Sequence, residues 1–181
     1  MVDILRNKRL AATAEVSYSV EAIYVQHHKS VYNYIAFRIN NHHDAEELAN
    51  DVFVEAIQGL GNYNHNFPME GWLIGIAKNI VAGYLRKTMR RKFVPFDSIF
   101  ELVSADKLPE EIVVINEDSR ELMKAMTKLR DKERNILSMK FATELKHSEI
   151  AAILSISESH VGVTAHRAIN KLKKIMKEET A

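Results

Sequence analysis

The sequence predicts an all-α fold with two small helical domains that are joined by an acidic, flexible linker. Apolar residues recur every three or four positions over several long stretches, which is the spacing of one buried helix face. The 181 residues include only three prolines and six glycines, so long helices are favoured over a many-stranded β fold. The periodic stretches form two blocks, and we place the domains at residues 1–92 and 122–181 with the linker at 93–121.

The first domain is predicted to contain three helices. Ser19 is a suitable cap for the first helix, and Asp44, followed by Glu47, resembles the capping box that starts a second one. Residues 61–71 are rich in Gly and Asn and contain Pro, which predicts a loop. The third helix is expected from Trp72 to about residue 92, where the chain becomes strongly basic.

The linker is predicted from its charge and its lack of periodicity. The formal net charge of the chain is only +1, but residues 93–121 carry eight acidic and two basic side chains, and both flanking blocks are net basic. Two of the three prolines also fall in this stretch. The acidic segment is therefore expected either to lie on a basic partner or to remain solvated.

Several functional classes are disfavoured by composition. The chain has no cysteine, which excludes disulfides, thiolate catalysis and cysteine-ligated zinc, and is consistent with a reducing cytoplasm. No signal peptide is expected at the start, and the most apolar window is too short to cross a bilayer. The histidine pairs at 27–28 and 42–43 point apart on a helix, so we expect no metal, no cofactor and no catalytic site.

The last fifty residues predict a helix-turn-helix in the C-terminal domain. Ile150 and Leu154 lie on the apolar face of one helix, and Ser155-Ile156-Ser157 forms a short turn in which Ser157 can cap the next helix. The second helix of such a motif typically enters the major groove of DNA. The alternative is an ordinary pair of helices in a bundle, but a run of basic residues along the second helix favours DNA: Arg167, Lys171, Lys173, Lys174 and Lys177.

Four segments in order and spacing resemble the bacterial extracytoplasmic-function sigma factors. They are DAEELANDVFVEA (44–56), GWLIGIAKNIVAGYLRK (71–87), LRDKERNILSMKF (129–141) and HSEIAAILSISESHVGVTAHRAINKLK (147–173). The resemblance implies a first domain like sigma region 2, which binds core RNA polymerase and recognises and melts the minus-10 element. It implies a last domain like sigma region 4, which reads the minus-35 element, and a linker that threads through the polymerase.

The resemblance also assigns residues to these roles. The acidic side of the second helix should meet a basic protein rather than DNA, because it repels phosphate. The polymerase-binding residues are expected to be Asp44, Glu46, Glu47, Asn50, Asp51 and Glu55.

The loop and the third helix are expected to hold single-stranded minus-10 DNA. Aromatic side chains stack on flipped bases, Asn bonds to base edges, and Lys and Arg contact phosphates. The minus-10 residues are expected to be Tyr63, Asn64, His65, Asn66, Lys78, Asn79, Arg86, Lys87, Arg90 and Arg91. Gly75 and Gly83 depart from the residues that relatives usually carry, so a relative's minus-10 preference is not transferred.

The start of the last helix is expected to read the minus-35 element. Arg can bind guanine with two hydrogen bonds, and Val can contact the methyl group of thymine. The minus-35 residues are expected to be Ser159, His160, Val163, His166, Arg167 and Lys171. Residues 162–164 are Gly-Val-Thr where relatives often place Lys, Ser and Arg, so this helix is expected to bind DNA weakly without the polymerase.

The sequence therefore predicts an alternative sigma factor with core RNA polymerase and promoter DNA as partners. The resemblance adds a cognate anti-sigma factor, a cytoplasmic location, and no small-molecule substrate. Two alternatives stay open: a stand-alone helix-turn-helix regulator whose first domain dimerises or senses a ligand, and an enzyme of the zinc-hydrolase type.

Overall fold

The computed structural model of the protein describes residues 19–91 and 117–180, and all regular structure within them is helical. One turn of 3₁₀ helix, Leu60–Asn62, follows the second α-helix. The seven α-helices are α1 (Val20–Ile39), α2 (His42–Gly59), α3 (Met69–Arg91), α4 (Glu117–Thr127), α5 (Asp131–Ala142), α6 (His147–Leu154) and α7 (Glu158–Thr180). Within these ranges no helix is both long enough and apolar enough to span a bilayer.

The first domain is a three-helix unit, α1–α3, with starts set by local caps. The Ser19 hydroxyl accepts a hydrogen bond from the Ala22 N–H at 3.3 Å, as its position in the sequence predicts. The second helix starts earlier than predicted, because the Asn41 side chain accepts from the Asp44 N–H at 3.2 Å and caps a helix that begins at His42. Asp44 is thus inside the first turn of α2 rather than at its cap.

The three helices enclose an apolar core. Helix α2 packs into this core through Ala45, Ala49, Val52, Phe53 and Ala56, whereas Ile57 near the end of the helix is 50% exposed. The largest fully buried apolar side chains of this domain include Val31, Ile35, Val52, Leu73, Ile74 and Val81.

The second domain consists of α4–α7. Helix α4 begins at Glu117, so residues 117–121 of the predicted linker are helical. The rest of the predicted linker, residues 93–116, lies outside the described residues.

Helices α6 and α7 form the predicted helix-turn-helix. Ser155 adopts the left-handed conformation at φ 54° and ends α6. The Ser157 hydroxyl then accepts from the His160 N–H at 3.2 Å, which confirms its predicted role as a cap.

The two domains touch where α1 packs on α5 and α3 packs on α6, and polar side chains take part in this contact. Arg38 at the end of α1 donates to the Asp131 carboxylate at 2.7 Å, and Tyr34 donates to the Asn135 side chain at 2.8 Å. Arg134 donates to the Arg38 carbonyl oxygen at 3.0 Å. No pattern in the sequence predicts these contacts.

Candidate functional site

The outward side of α2 is an acidic face made of Glu47, Asn50, Asp51 and Glu55. All four side chains are exposed and lie along one side of the helix, opposite the stripe that packs on α1 and α3. Glu47 has a nearby histidine, with His43 Nε2 3.5 Å from its carboxylate. This face has the charge and accessibility to meet a basic protein surface.

Two further acidic residues predicted for polymerase binding are engaged within the first domain. The Asp44 carboxylate accepts hydrogen bonds from the Tyr84 hydroxyl and from the Asn41 side chain, the latter at 2.9 Å. Glu46 Oε1 lies 3.5 Å from the Nε2 of the mostly buried His28. These two carboxylates tie α2 to its neighbours, so they differ from the four more exposed side chains of the acidic face.

Two exposed apolar side chains accompany the acidic face, and the sequence prediction did not include them. Val54 is 55% exposed and lies one turn beyond Asn50 and Asp51. Ile57 follows the apolar spacing of α2 but is half exposed. One sequence feature could have indicated that Val54 is exposed. Its position does not match the apolar spacing of α2, and its neighbours on that side of the helix are acidic.

The loop between α2 and α3 presents three of its four predicted minus-10 residues to solvent. Asn64, His65 and Asn66 are exposed, and the Asn64 side chain accepts from the Asn66 N–H at 3.0 Å. Tyr63 is only 8% exposed. Its ring lies 5.0 Å from that of Trp72, centroid to centroid, and its hydroxyl donates to the Phe67 carbonyl, so it supports the loop.

Helix α3 carries the remaining predicted minus-10 residues, from Lys78 to Arg91. Asn79 is exposed, whereas the neighbouring Lys78 is half-buried and donates to the Ile153 carbonyl oxygen of α6 at 3.1 Å. Closer to the end of the helix three basic side chains are exposed, and Arg91 is the last residue of α3. The exposed basic residues are Arg86, Lys87 and Arg90.

The start of α7 presents its predicted minus-35 residues together. One face of the helix is buried through Val161, Ala165, Ala168 and Leu172. The opposite face exposes Ser159, His160, Val163, His166 and Arg167, and Val163 is 47% exposed. A helix that begins after a tight turn and exposes such side chains over its first three turns has the geometry of a major-groove reader.

Lys171 differs from the other predicted minus-35 residues because it has a partner in its own domain. Its ammonium lies 3.1 Å from a carboxylate oxygen of Glu133 on α5. The same oxygen accepts from the Arg130 N–H at 2.9 Å and so caps α5. Partial burial raises the pKa of Glu133, but these two donors outweigh it and hold the pKa below its usual value.

The histidines do not come together as a metal site in residues 19–91 and 117–180, where no three His, Asp or Glu side chains are grouped to hold an ion. His42 Nδ1 lies 3.0 Å from the Tyr32 hydroxyl. His28 stacks on Phe53, with ring centroids 6.0 Å apart. Both rings therefore have partners within the first domain.

Comparison with known proteins gives two family matches that follow the two domains. Residues 23–91 match Sigma-70 region 2, and residues 125–174 match Sigma-70 region 4. The RNA polymerase sigma factor YlaC of Bacillus subtilis (strain 168) is 31% identical over 87% of this chain and 92% of its own length. The extracytoplasmic-function sigma factor SigX of the same organism is 24% identical over 86% of this chain and 82% of its own length.

Solved structures match the fold across both domains. The sigma factor RpoE, crystallised with the anti-sigma factor NepR from Bartonella quintana, has a TM-score of 0.72 at 19% identity and covers 87% of this chain and 96% of its own. CnrH, in complex with the cytosolic domain of CnrY, has a TM-score of 0.62 at 18% identity, with coverages of 93% and 94%. With the two sequence matches, these findings show that the chain belongs to the extracytoplasmic-function sigma factors of bacterial RNA polymerase.

Proposed function

We propose that this protein recruits core RNA polymerase through the acidic face of α2 and positions it on promoters through α3 and α7. The observation that carries the proposal is the separation of charge on the first domain. Glu47, Asp51 and Glu55 form an acidic surface on α2, whereas the exposed end of α3 is basic. The acidic surface suits a basic protein, and the basic one suits phosphates.

Promoter melting is assigned to the exposed loop and to α3. A protein that opens a duplex without a chemical energy source must capture bases after they leave the stack, since unstacking costs a few kcal/mol per base. Asn64, Asn66 and Asn79 are exposed amides that can bond to base edges. The protein contributes no bond-making step of its own, so we class it as a binding subunit that acts in the cytoplasm with the polymerase.

Upstream recognition is assigned to the start of α7. Arg167 and His166 can reach base edges, while the lysines later in the helix contact phosphate and orient it. For Lys171 to contact a phosphate as these lysines do, it has to give up its ion pair with Glu133. Binding through this helix alone is therefore weak, and the polymerase supplies the rest of the affinity.

A protein inhibitor is the third partner that we propose. The structures of RpoE and CnrH were both solved in complex with protein partners, and for RpoE the partner is an anti-sigma factor. The exposed Val54 and Ile57 beside the acidic face give this chain a mixed apolar and acidic surface of the kind that a protein partner covers. An inhibitor bound there competes directly with the polymerase.

The assignment of the base pocket is tested with Asn79→Ala. The variant should bind core polymerase as well as the wild type does, but open-complex formation at a cognate promoter should fall roughly tenfold or more, because a base-edge contact is lost. Permanganate footprinting measures the opening. Gln26→Ala, an exposed amide on α1, is the matched control and should open the promoter normally. Normal opening by Asn79→Ala would show that the pocket lies elsewhere.

A further inference from the structure

The reading face of α7 is the exposed side formed by Ser159, His160, Val163, His166 and Arg167. The next exposed residue at the centre of this face is Asn170. Successive residues of an α-helix are rotated by about 100°, so Asn170 lies within about 20° of Val163 around the helix axis and roughly two turns further along it. Asn170 therefore continues the surface of the predicted minus-35 residues, although the sequence prediction did not include it.

Lys171, which the sequence prediction did include, lies at the side of this face. It is rotated from Val163 by about 80° around the helix axis. Its ammonium lies 3.1 Å from the Glu133 carboxylate, which holds the side chain against α5. At this level of α7 the centre of the reading face is thus occupied by Asn170 rather than by Lys171.

The Asn170 side chain contacts the ring of His166, one turn earlier on the same face. Asn170 Nδ2 lies 3.5 Å from His166 Nδ1 and 3.4 Å from His166 Nε2. Side chains four residues apart are neighbours on a helix surface, so this contact forms within α7 itself. Both side chains are exposed, which leaves the pair accessible to a ligand in front of the helix.

The chemistry of the two groups determines what this contact does. The nitrogen of an amide side chain only donates, and an imidazole ring accepts only through a nitrogen that carries no proton. A neutral His166 that accepts from Asn170 therefore carries its proton on the other ring nitrogen. That N–H is a donor, and guanine O6 and N7 or thymine O4 can accept from it in the major groove. The contact thus gives the His166 ring one orientation and one donor.

We propose that Asn170 is a positioning residue of the minus-35 surface, which holds the His166 ring so that its N–H donor reads one base pair. The inference rests on the proposed function of α7. A side chain that is ordered before binding loses less entropy in the complex. A fixed donor also rejects base pairs that present no acceptor at that point. Asn170 should therefore raise the preference for one base pair rather than the affinity for DNA in general.

The test measures base preference with the full chain bound to core polymerase, on promoters in which each minus-35 position is randomised. Asn170→Ala should reduce the preference at one base pair roughly fivefold or more and leave the other positions unchanged. His166→Ala should reduce the preference at the same base pair, and the double variant should lose no more than His166→Ala alone. Alanine is the better helix former at this exposed position, so unfolding does not explain a loss in Asn170→Ala.

Two further variants separate positioning from other roles. Asn170→Gln keeps the amide and should retain most of the preference, whereas Lys173→Ala removes an exposed charge and should weaken all promoters alike, as the loss of a phosphate contact does. The proposal is refuted if Asn170→Ala keeps the full preference, weakens every promoter alike, or affects a base pair that His166→Ala does not. It is also refuted if Asn170→Gln is no better than Asn170→Ala. If the wild type binds no core polymerase or shows no preference at any minus-35 position, the proposed function fails instead.

Discussion

Two helical glycines, Gly71 and Gly162, differ in the space that surrounds them, so replacing them with alanine should have different effects on stability. A Cβ added at Gly162 on α7 would lie 3.7 Å from the His147 ring, an ordinary contact distance. A Cβ added at Gly71 in the first turn of α3 would lie 2.6 Å from the Phe67 ring and 3.4 Å from Leu145. Gly71 is therefore required by close packing, whereas Gly162 is not.

Gly162→Ala should stabilise the protein. Both residues fit the helical conformation, and alanine loses less backbone entropy on folding, so the free energy of unfolding should rise by about 0.5–1 kcal/mol. Chemical denaturation followed by circular dichroism measures it. Gly71→Ala is the contrasting variant and should lower stability by about 1–3 kcal/mol, because the Phe67 ring must move. A loss of stability in Gly162→Ala would mean that α7 needs glycine there for a reason other than space.

Residue identity predicted some local features better than others. Ser157 follows a turn and precedes an apolar period, so its capping role is readable from the sequence. Tyr63 has the chemistry of a base-stacking residue, but its ring packs on Trp72 and its hydroxyl bonds to the Phe67 carbonyl. Which way an aromatic ring points depends on tertiary packing, and sequence spacing within a loop does not encode it.

Helix α5 depends on Glu133, which connects its first turn to α7. The carboxylate caps the helix through the Arg130 N–H and pairs with Lys171. Glu133→Gln should lower the free energy of unfolding by about 1 kcal/mol near neutral pH, because the charged acceptor is lost. Thermal or chemical denaturation at pH 7 measures this difference.

The stability difference between the wild type and Glu133→Gln should also depend on pH, in a direction that the pKa of Glu133 determines. Since the folded state holds the pKa of Glu133 below its ordinary value of 4.5, the carboxylate stabilises the fold above 4.5. The advantage of the wild type over Glu133→Gln should shrink as the pH falls below 4.5 and through the lower folded-state pKa. An advantage that persists unchanged at pH 3 would contradict this account of α5.

The helices themselves were largely predictable, while their ends were less so. Strong apolar periodicity located α1, α2, α3 and the helix-turn-helix, because each buries one continuous face. The start of α2 was predicted at the wrong residue, because Asn41 and Asp44 are both suitable N-cap residues. The extended backbone conformation of Asn41 makes it the N-cap. Among the predicted polymerase-binding residues, sequence pattern placed Asp51 and Asp44 on the same surface, although Asp44 bonds to Tyr84.

At the scale of the whole molecule, the arrangement of the domains was not predictable. Arg38 and Asp131 are separated by more than ninety residues, and a single polar pair leaves no periodic signal. The sequence also suggested independent domains because the linker is acidic and long. Only the structure brings α1 against α5 and α3 against α6, and these contacts fix how the two domains are placed.

His27 makes the folded state sensitive to acid. It lies in a cleft where the two domains touch, with Lys29, Glu70 and Glu144, beside Phe141. Partial burial lowers the pKa of His27 below its ordinary 6.5, although Glu70 opposes the shift. His27 in the unfolded chain therefore takes up a proton more readily than in the folded protein, and stability should decline as the pH falls below about 6.5.

Stability measured between pH 7.5 and 5.5 tests this. His27→Gln removes the titrating group and should flatten the decline, while the exposed His65→Gln should leave it unchanged. A decline of equal steepness in wild type and His27→Gln would assign the acid sensitivity to another group.

The central claim is that the chain directs core polymerase to promoters, and one measurement tests it most directly. Purified protein is added to core polymerase on a library of genomic fragments, and transcription start sites are mapped with and without it. The account predicts a small set of discrete starts that require the protein and that share sequence elements upstream. An absence of new starts, together with failure to bind core polymerase and stable binding to duplex DNA alone, would contradict it and favour a stand-alone regulator.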